Sequence, residues 1–565
     1  MNRIISGLTC AGMMVFISGF SQIDFIIPDT MCIGDSMQVQ YTGSYDAQSY
    51  YWNFCSGSLD YTPNGENISD IGLVNGPAFI DLVKYNNQFY SFITNHKDGT
   101  LTRNSFGDNL LNNPVSENLG QVGGISRLEG IQVIEDNGHW YGFVVGGIGN
   151  ESSLIRIDFP GGPASGQVVD NLGNPGEMSY PIDLFLYPEN GTWIGFTVNY
   201  TTSTITRFVF ENGLNSPPLG ENLGNIGNLN NPCGVHPIFE EGVWYLFVTN
   251  FGSGTITRLD FGTSLLNTPS GTNIGGSGSI AYPFDMTIIR DCEHIFGFVI
   301  NHYHSELVRM DFGTDIHSVP AYENLGNVGQ MYQPHGLSEI FRENDALYFL
   351  ASNVNNTITR IFFEPCTNAS MASYSGKNPP RVTYNQAGIY NVSLIVDEGL
   401  PTSQTLCKNV VAFPNPDVFL GNDTSLLPGE SIDLTPGEGY TLYEWSTREN
   451  SSEITVHEKG EYRVVVTDTN QCKASDAILI DIAFYIPNFF TPNGDGTNDE
   501  WTIPYFEVNP VAKIYIYDRY GKELDSFEAE EGWDGTTYSG NPLKADTYWY
   551  VIRYDDKSKK PETGY

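Results

Sequence analysis

Outside its first 20 residues the sequence has no long stretch in which apolar residues recur at helical spacing. A helical bundle or a doubly wound α/β fold is thereby excluded as the main architecture. Basic residues are scarce, with 27 Lys and Arg against 66 Asp and Glu and a formal net charge of −39. Binding to a phosphate backbone needs a clustered basic surface, so nucleic acid is excluded as a partner. There is no Gly-x-Ser-x-Gly elbow before a helix, no phosphate loop, no His-x-x-x-His and no His–Glu constellation along the chain. The commonest sequence marks of hydrolases, nucleotide enzymes and zinc proteases are therefore missing.

What is present points to many short strands and turns: aromatic residues make up 13%, with 60 Gly and 31 Pro. The reading is all-β. At roughly 100–200 residues per domain, 565 residues divide into several units. The acidity reads as a solvated exterior, or as carboxylates for a divalent cation. The start, "MNRIISGLTCAGMMVFISGFSQ", has a basic Arg3, an apolar run and small residues near Ser21, and predicts a secretory signal over residues 1–21. No other segment is long and apolar enough to span a membrane. Localisation is therefore secreted or at the cell surface, where the cysteines after Cys10 can form lasting disulfides.

From about residue 76 a unit recurs: a Pro opening a strand, an aromatic-rich strand ending in Asn, a "TITR" strand, then "NLG". Its arginine falls at Arg103, Arg156, Arg207, Arg258, Arg309 and Arg360, and its last Asn at Asn67, Asn118, Asn171, Asn222, Asn273 and Asn324. Six copies of about 50 residues, each with room for four strands, predict a six-bladed β-propeller over residues 58–365. The first Asn mark precedes any Arg and the last Arg has none after it. Residues 58–74 are thus expected to close the ring as the outer strand of the sixth blade, whose inner strands lie in 334–364. Cys55 and Cys366 flank that break, which predicts a Cys55–Cys366 disulfide.

The propeller interrupts another domain. "YYWNF" (51–54 with the preceding Tyr50) and "AGIYNVSLIV" (387–396) together resemble the PKD-type immunoglobulin-like sandwich, split into residues 22–57 and 366–414. On that resemblance Cys32 and Cys407 sit on the first and last strands, and they are paired as Cys32–Cys407. Cys233 and Cys292 are too differently placed to pair with each other. Residues 415–484, with Trp445 and "GEYRVVV", resemble a second Ig-like module of secreted Bacteroidetes proteins, in which Cys472 is expected to lack a partner.

Residues 485–565 carry "FTPNGDGTND", "IYDRYG", "WDG" and "TYWY" in order. They are similar to the gliding-motility-associated, type-B C-terminal sorting domain of the type IX secretion system. The resemblance implies export across the outer membrane and the secretion machinery as a partner. Family members continue past a glycine like Gly564 to a short strand ending in a basic residue, whereas this sequence stops at Tyr565; the expectation is an incomplete sequence or impaired sorting. Within "NGDGTND", Asn493, Asp495, Asn498 and Asp499 offer oxygens to calcium as a cofactor. Turn chemistry explains the same residues.

In the propeller the natural place for a site is the axis. Aligned first strands give Asp81, Gly130, Asp183, Gly234, Asp285 and Gly336. Three carboxylates at one level would hold an axial metal or ligand, or each would accept hydrogen bonds from a neighbouring blade. The repeated Asn95, Asn199, Asn250 and Asn301 and the arginines resemble NHL-type repeats and read as packing and turn residues. His96, His302, His236 and His335 break the symmetry, and His236 and His335 join the aspartates as candidate ligand-binding residues. Two functions fit. One is a binding or adhesion protein whose propeller recognises a polysaccharide or surface protein. The other is a secreted lactonase- or lyase-like propeller enzyme with an axial metal.

Overall fold

In each repeat the first two strands are apolar along nearly their whole length, as in Pro232–Glu240 and Val243–Asn250, and both are almost wholly buried. A strand buried on both faces reads as a continuous hydrophobic run. The outer strand is the opposite: Leu219–Gly224 is exposed or half-exposed throughout. The repeats accordingly fold into antiparallel sheets that stack face to face, with their inner strands covered on both sides. The computed structural model describes residues 23–55, 58–69, 71–292, 294–397, 404–483, 485–503, 512–555, 558 and 560–565. The signal segment and Cys10 lie outside the described residues. The chain divides into two units, Met1–Ala412 and Phe413–Tyr565.

The first unit holds the propeller-like sheets. Sheets 1 to 5 begin at Pro77–Tyr85, Leu128–Asp136, Pro181–Glu189, Pro232–Glu240 and Pro283–Asp291 and each runs through four strands in sequence order. Sheet 6 is built from Pro334–Leu337 with Phe341–Glu343, then Ala346–Asn353 and Thr357–Phe363, and its outer strand is Asn64–Ile68 from the start of the chain. First strands touch in order around the series, and the first strand of sheet 6 touches that of sheet 1. The series is therefore closed on itself.

Local chemistry explains the hairpins between first and second strands. Asn137 and Gly138, Asn190 and Gly191, and Glu241 and Gly242 all adopt positive φ, the two-residue turn whose twist matches its flanking strands. The recurring arginines join neighbours. Arg103 donates from Nη1 to the carbonyls of Pro163 and Ser165 in the next sheet, and Arg207 does the same to Leu265, Leu266 and Asn267. Arg309 reaches Leu59 and Tyr61, so the segment after Cys55 takes the place of the loop that precedes an outer strand elsewhere. Arg360 closes the circle on the Asn112 carbonyl of sheet 1.

A five-stranded sheet, ordered Thr30–Cys32, Gln404–Phe413, Gly388–Val396, Tyr50–Asn53 and Ser373–Ser375, lies in the same unit. Its core centres on the fully buried Trp52, whose indole donates to the Gly376 carbonyl at 2.9 Å. Cys55 and Cys366 are disulfide-bonded across a sequence separation of 311.

The expected Cys32–Cys407 bridge is not formed: Cys407 is bonded to Cys292. Strand alternation supplies the reason. Leu406 packs on the core of this sheet, and Val410 and Ala412 are buried, so Cys407 faces the other way while Cys32 is buried. Cys292 stands with positive φ at the hairpin tip of sheet 5, projecting beyond its strands. Cys32 and Cys472 are both disulfide-bonded, which also corrects the expectation that Cys472 lacks a partner. Cys233 is free and buried.

In the second unit, one four-stranded sheet joins Thr424–Leu426, Lys473–Ile482, Gly460–Thr467 and Leu442–Trp445. A second orders Glu523–Glu528, Ala512–Tyr517, Trp549–Tyr554 and Glu562–Gly564 over a core containing Trp501 and Trp533.

Glycine at alternate first strands has a steric cause. A Cβ on Gly234 would lie 2.7 Å from Asp285 Oδ1 and 2.8 Å from its Cα, and one on Gly130 would lie 2.7 Å from Asp183 Cα. Gly234→Ala is therefore expected to lower unfolding free energy by about 1–3 kcal/mol, as overpacking does. Urea denaturation checks this, and a loss under 0.5 kcal/mol would mean that the strands part at little cost.

Candidate ligand site at the propeller axis

The axis carries tiers of side chains set by the first strands. The deeper tier holds Asp81, Asp183 and Asp285, all buried. Each carboxylate bridges two strands. Asp81 accepts from Leu82 N at 2.9 Å and Val133 N at 2.6 Å; Asp183 accepts from Leu184 N at 2.7 Å and Val235 N at 2.8 Å; Asp285 accepts from Met286 N and Leu337 N, both at 2.7 Å. Each odd-numbered sheet thus grips the next by a carboxylate, and each even one closes on the following sheet through glycine. The three aspartates line an axial cavity of about 50 Å³, room for a few waters. Their oxygens do not all come within 4.8 Å of one another, too open for one ion to be held directly by all three.

Burial holds the Asp183 carboxyl well above the usual range, with the Asp285 charge adding to it. Burial raises Asp285 to about 7 against the pull of its two backbone donors. The native state therefore binds this proton more tightly than the unfolded chain does. The contribution is fully present below about pH 4 and is lost as pH rises through 7. Wild type should accordingly exceed Asp285→Asn in stability by more at pH 4.5 than at pH 8. Thermal unfolding at both values checks this, and an equal difference would refute it.

His236 is buried, and its Nε2 lies 3.1 Å from the Ile288 carbonyl of the next sheet. Burial lowers its pKa to about 4. This imidazole links two sheets and also lines the axial cavity beside the aspartates.

One residue earlier in each first strand lies a second tier, in which Glu129, Cys233 and His335 alternate with Ile80, Ile182 and Phe284. Glu129 is 1% exposed. Its Oε1 accepts from Tyr180 Oη at 2.9 Å and lies 2.6 Å from His96 Nδ1. A His–Glu pair therefore exists in space where none is visible along the chain. The readable signal was the residue before each axial glycine: "EG", "CG" and "HG". His335 Nδ1 is buried without a partner, and burial together with His302 and His96 pushes its pKa far down.

The mouth above this tier is rimmed by the residues that follow the second strands. His96 lies 6.3 Å from His335 between ring centroids, His335 lies 4.7 Å from His302, and His302 lies 4.7 Å from Tyr303. Tyr303 meets Phe251 at 5.7 Å, Phe251 meets Tyr200 at 6.3 Å, and Tyr200 meets Tyr180 at 5.8 Å. Tyr180 returns to Glu129, so the rings form an unbroken circuit. Tyr282 packs on Tyr303 at 5.1 Å, and both are exposed.

The remaining candidates lie elsewhere. In the second unit, Asp499 accepts from the backbone N–H groups of Asn493, Gly494 and Gly496. These bonds lower its pKa, those from Gly494 and Gly496 most. Asn493 Oδ1 accepts from Asp495 N, Asp495 Oδ1 accepts from Thr497 N, and Asn498 takes positive φ. The loop's oxygens thus brace its own turn. At the far end of the propeller-like sheets, ligand atoms of Asp60, His294 and Asp311 lie within 4.8 Å of one another, and the group is largely exposed.

Residues 484–565 match the CHU_C type IX secretion signal domain. That domain marks the chain for export and an extracellular or cell-surface location. Among the described residues no helix is long and apolar enough to cross a membrane. No curated protein matches the chain. Among solved structures it is similar to a luciferin-regenerating enzyme, at 12% identity and a TM-score of 0.37 over 53% of this chain and 95% of the other. It is also similar to the GH43_1 enzyme from Xanthomonas citri, at 10% and 0.31 over 55% and 92%. A third is the GH62 alpha-L-arabinofuranosidase catalytic domain of Coprinopsis cinerea, at 14% and 0.31 over 42% and 92%. At these TM-scores the likeness carries no activity over to this chain.

Proposed function

We propose that this is an exported binding protein whose six-bladed β-propeller is a recognition head for a glycan. The head is carried on a PKD-type sandwich and a second Ig-like module, and the C-terminal domain engages the type IX machinery. The supporting observation is the circuit of rings at one mouth of the axis, with the exposed Tyr282 and Tyr303 beside it. Tyrosine faces are rigid, amphipathic contact surfaces that cost little entropy to order, and they suit stacking on a ligand with apolar faces. The axial aspartates support this reading by their engagement with neighbouring strands.

A second reading, a secreted enzyme, has one observation in its favour: the buried Glu129 that holds His96. Carboxylate-held imidazoles serve in proton transfer. Incubation of the full chain with a panel of insoluble and soluble polysaccharides separates the two. Retention of the protein on intact polymer supports recognition. Release of soluble fragments overturns it in favour of the enzyme.

A further inference from the structure

Glu129 is the least expected side chain in the molecule: a carboxylate almost wholly removed from water with no Lys or Arg bridged to it. Both bonds it receives fall on Oε1, from Tyr180 and His96, and no hydrogen bond among the described residues engages Oε2. Oε2 is not among the fully buried unpaired atoms, so it meets open space, and a carboxylate oxygen left without a donor there calls for a partner. His96 is similarly half used. Its Nδ1 faces Glu129, and its Nε2 makes no hydrogen bond among the described residues. The site thus offers an open carboxylate oxygen beside an imidazole, at the bottom of a ring of aromatic faces.

Three chemistries could answer it. A metal ion is disfavoured, because no group of three ligand atoms here lies within 4.8 Å of one another. An anionic ligand would meet the Glu129 charge in a chain already at −39. The one guanidinium in contact with the circuit, that of Arg127, is 5.7 Å from the centre of the Tyr180 ring and donates weakly to its hydroxyl at 3.4 Å. An uncharged polyol fits all three features. Adjacent hydroxyls can donate to Glu129 Oε2 and meet His96 Nε2 while the C–H face of the ring lies on the aromatic rim.

We infer that the mouth bounded by Glu129, His96, Tyr180, Phe251 and Tyr303 is a subsite for a neutral sugar residue, and that it rejects uronic or sulfated sugars. This rests on the glycan-recognition reading and narrows it to one chemical class.

Isothermal titration of the full chain with neutral oligosaccharides (xylo-, cello-, manno- and laminari-hexaose) and acidic ones (oligogalacturonate, oligoalginate) tests the inference. At least one neutral series is expected to bind, and the acidic ones not. Glu129→Gln removes the charged acceptor while keeping its shape, and should weaken binding by about tenfold to a hundredfold, the worth of a hydrogen bond to a charged group. Tyr303→Ala, at an exposed position, should also weaken binding, with thermal unfolding unchanged. That variant keeps the test valid even if Glu129→Gln perturbs folding. Binding of neutral sugar that survives both substitutions within twofold would overturn this site and leave glycan recognition standing. So would acidic sugars binding in a manner abolished by Arg127→Gln. If no glycan binds the wild type, both readings fall.

Discussion

Replacing Cys55 and Cys366 together by serine is expected to lower the unfolding free energy of the first unit by about 3–5 kcal/mol. The bond closes a loop of 311 residues, and in the chain-entropy model loops beyond about 100 residues gain roughly 5 kcal/mol from such a link. The expected loss is somewhat smaller because other contacts join the same ends. Asn64–Ile68 pairs with Thr357–Phe363, Arg360 meets Glu66, and Cys292–Cys407 remains. Urea unfolding followed by tryptophan fluorescence gives the number. A loss below 1 kcal/mol would show that strand pairing alone closes the ring.

The second large effect falls on Arg360. Its side chain is 1% exposed, Nη1 lies 2.6 Å from Glu66 Oε2, and Nη2 donates to the Asn112 carbonyl at 2.8 Å. One guanidinium therefore ties a third strand, an outer strand from the other end of the chain, and the neighbouring sheet. Arg360→Met should cost about 2–4 kcal/mol, because it leaves the Asn112 carbonyl without this donor and loosens a junction that no peptide bond spans. Arg156→Met, at the equivalent position of sheet 2, should cost about 1 kcal/mol. Its ion pair to Asp170 is longer, at 3.2 Å, and there the third and outer strands are joined by the chain itself. Equal losses in the two variants would remove the special role given to Arg360.

These two residues also mark how far the sequence could be read. The 51-residue spacing of the arginines encodes the repeat, and the offset of the asparagines places Asn64–Ile68 beside Thr357–Phe363, because both are set by local strand chemistry repeated many times. The alternation of Asp and Gly along the first strands is legible for the same reason. The partner of Cys407 is not legible, because it depends on where the tip of one hairpin meets the five-stranded sheet, and no period in the chain records that docking. Glu129 is illegible for the complementary reason. It occurs once, its counterparts in the other even-numbered sheets are Cys233 and His335, and a search for repeats passes over residues that do not repeat. Its contact with His96 comes from two neighbouring sheets and is invisible until they are brought together.

The interleaving of the five-stranded sheet with the propeller-like sheets has a consequence in time. Among the described residues Tyr50–Asn53 pairs only with Ser373–Ser375 and Gly388–Val396, and Thr30–Cys32 lies beside Gln404–Phe413. The opening strands are thus synthesised first and paired last. At roughly 5–20 residues per second, Cys55 waits about 15–60 s for Cys366 to be made. Throughout that wait Tyr50, Tyr51 and Trp52 lack the strands that pair with theirs, although Trp52 can already meet Phe25 and Tyr50 can meet Tyr41. A chain bound for export gains from such a delay, since it cannot lock its first unit before the segment that completes it has been made.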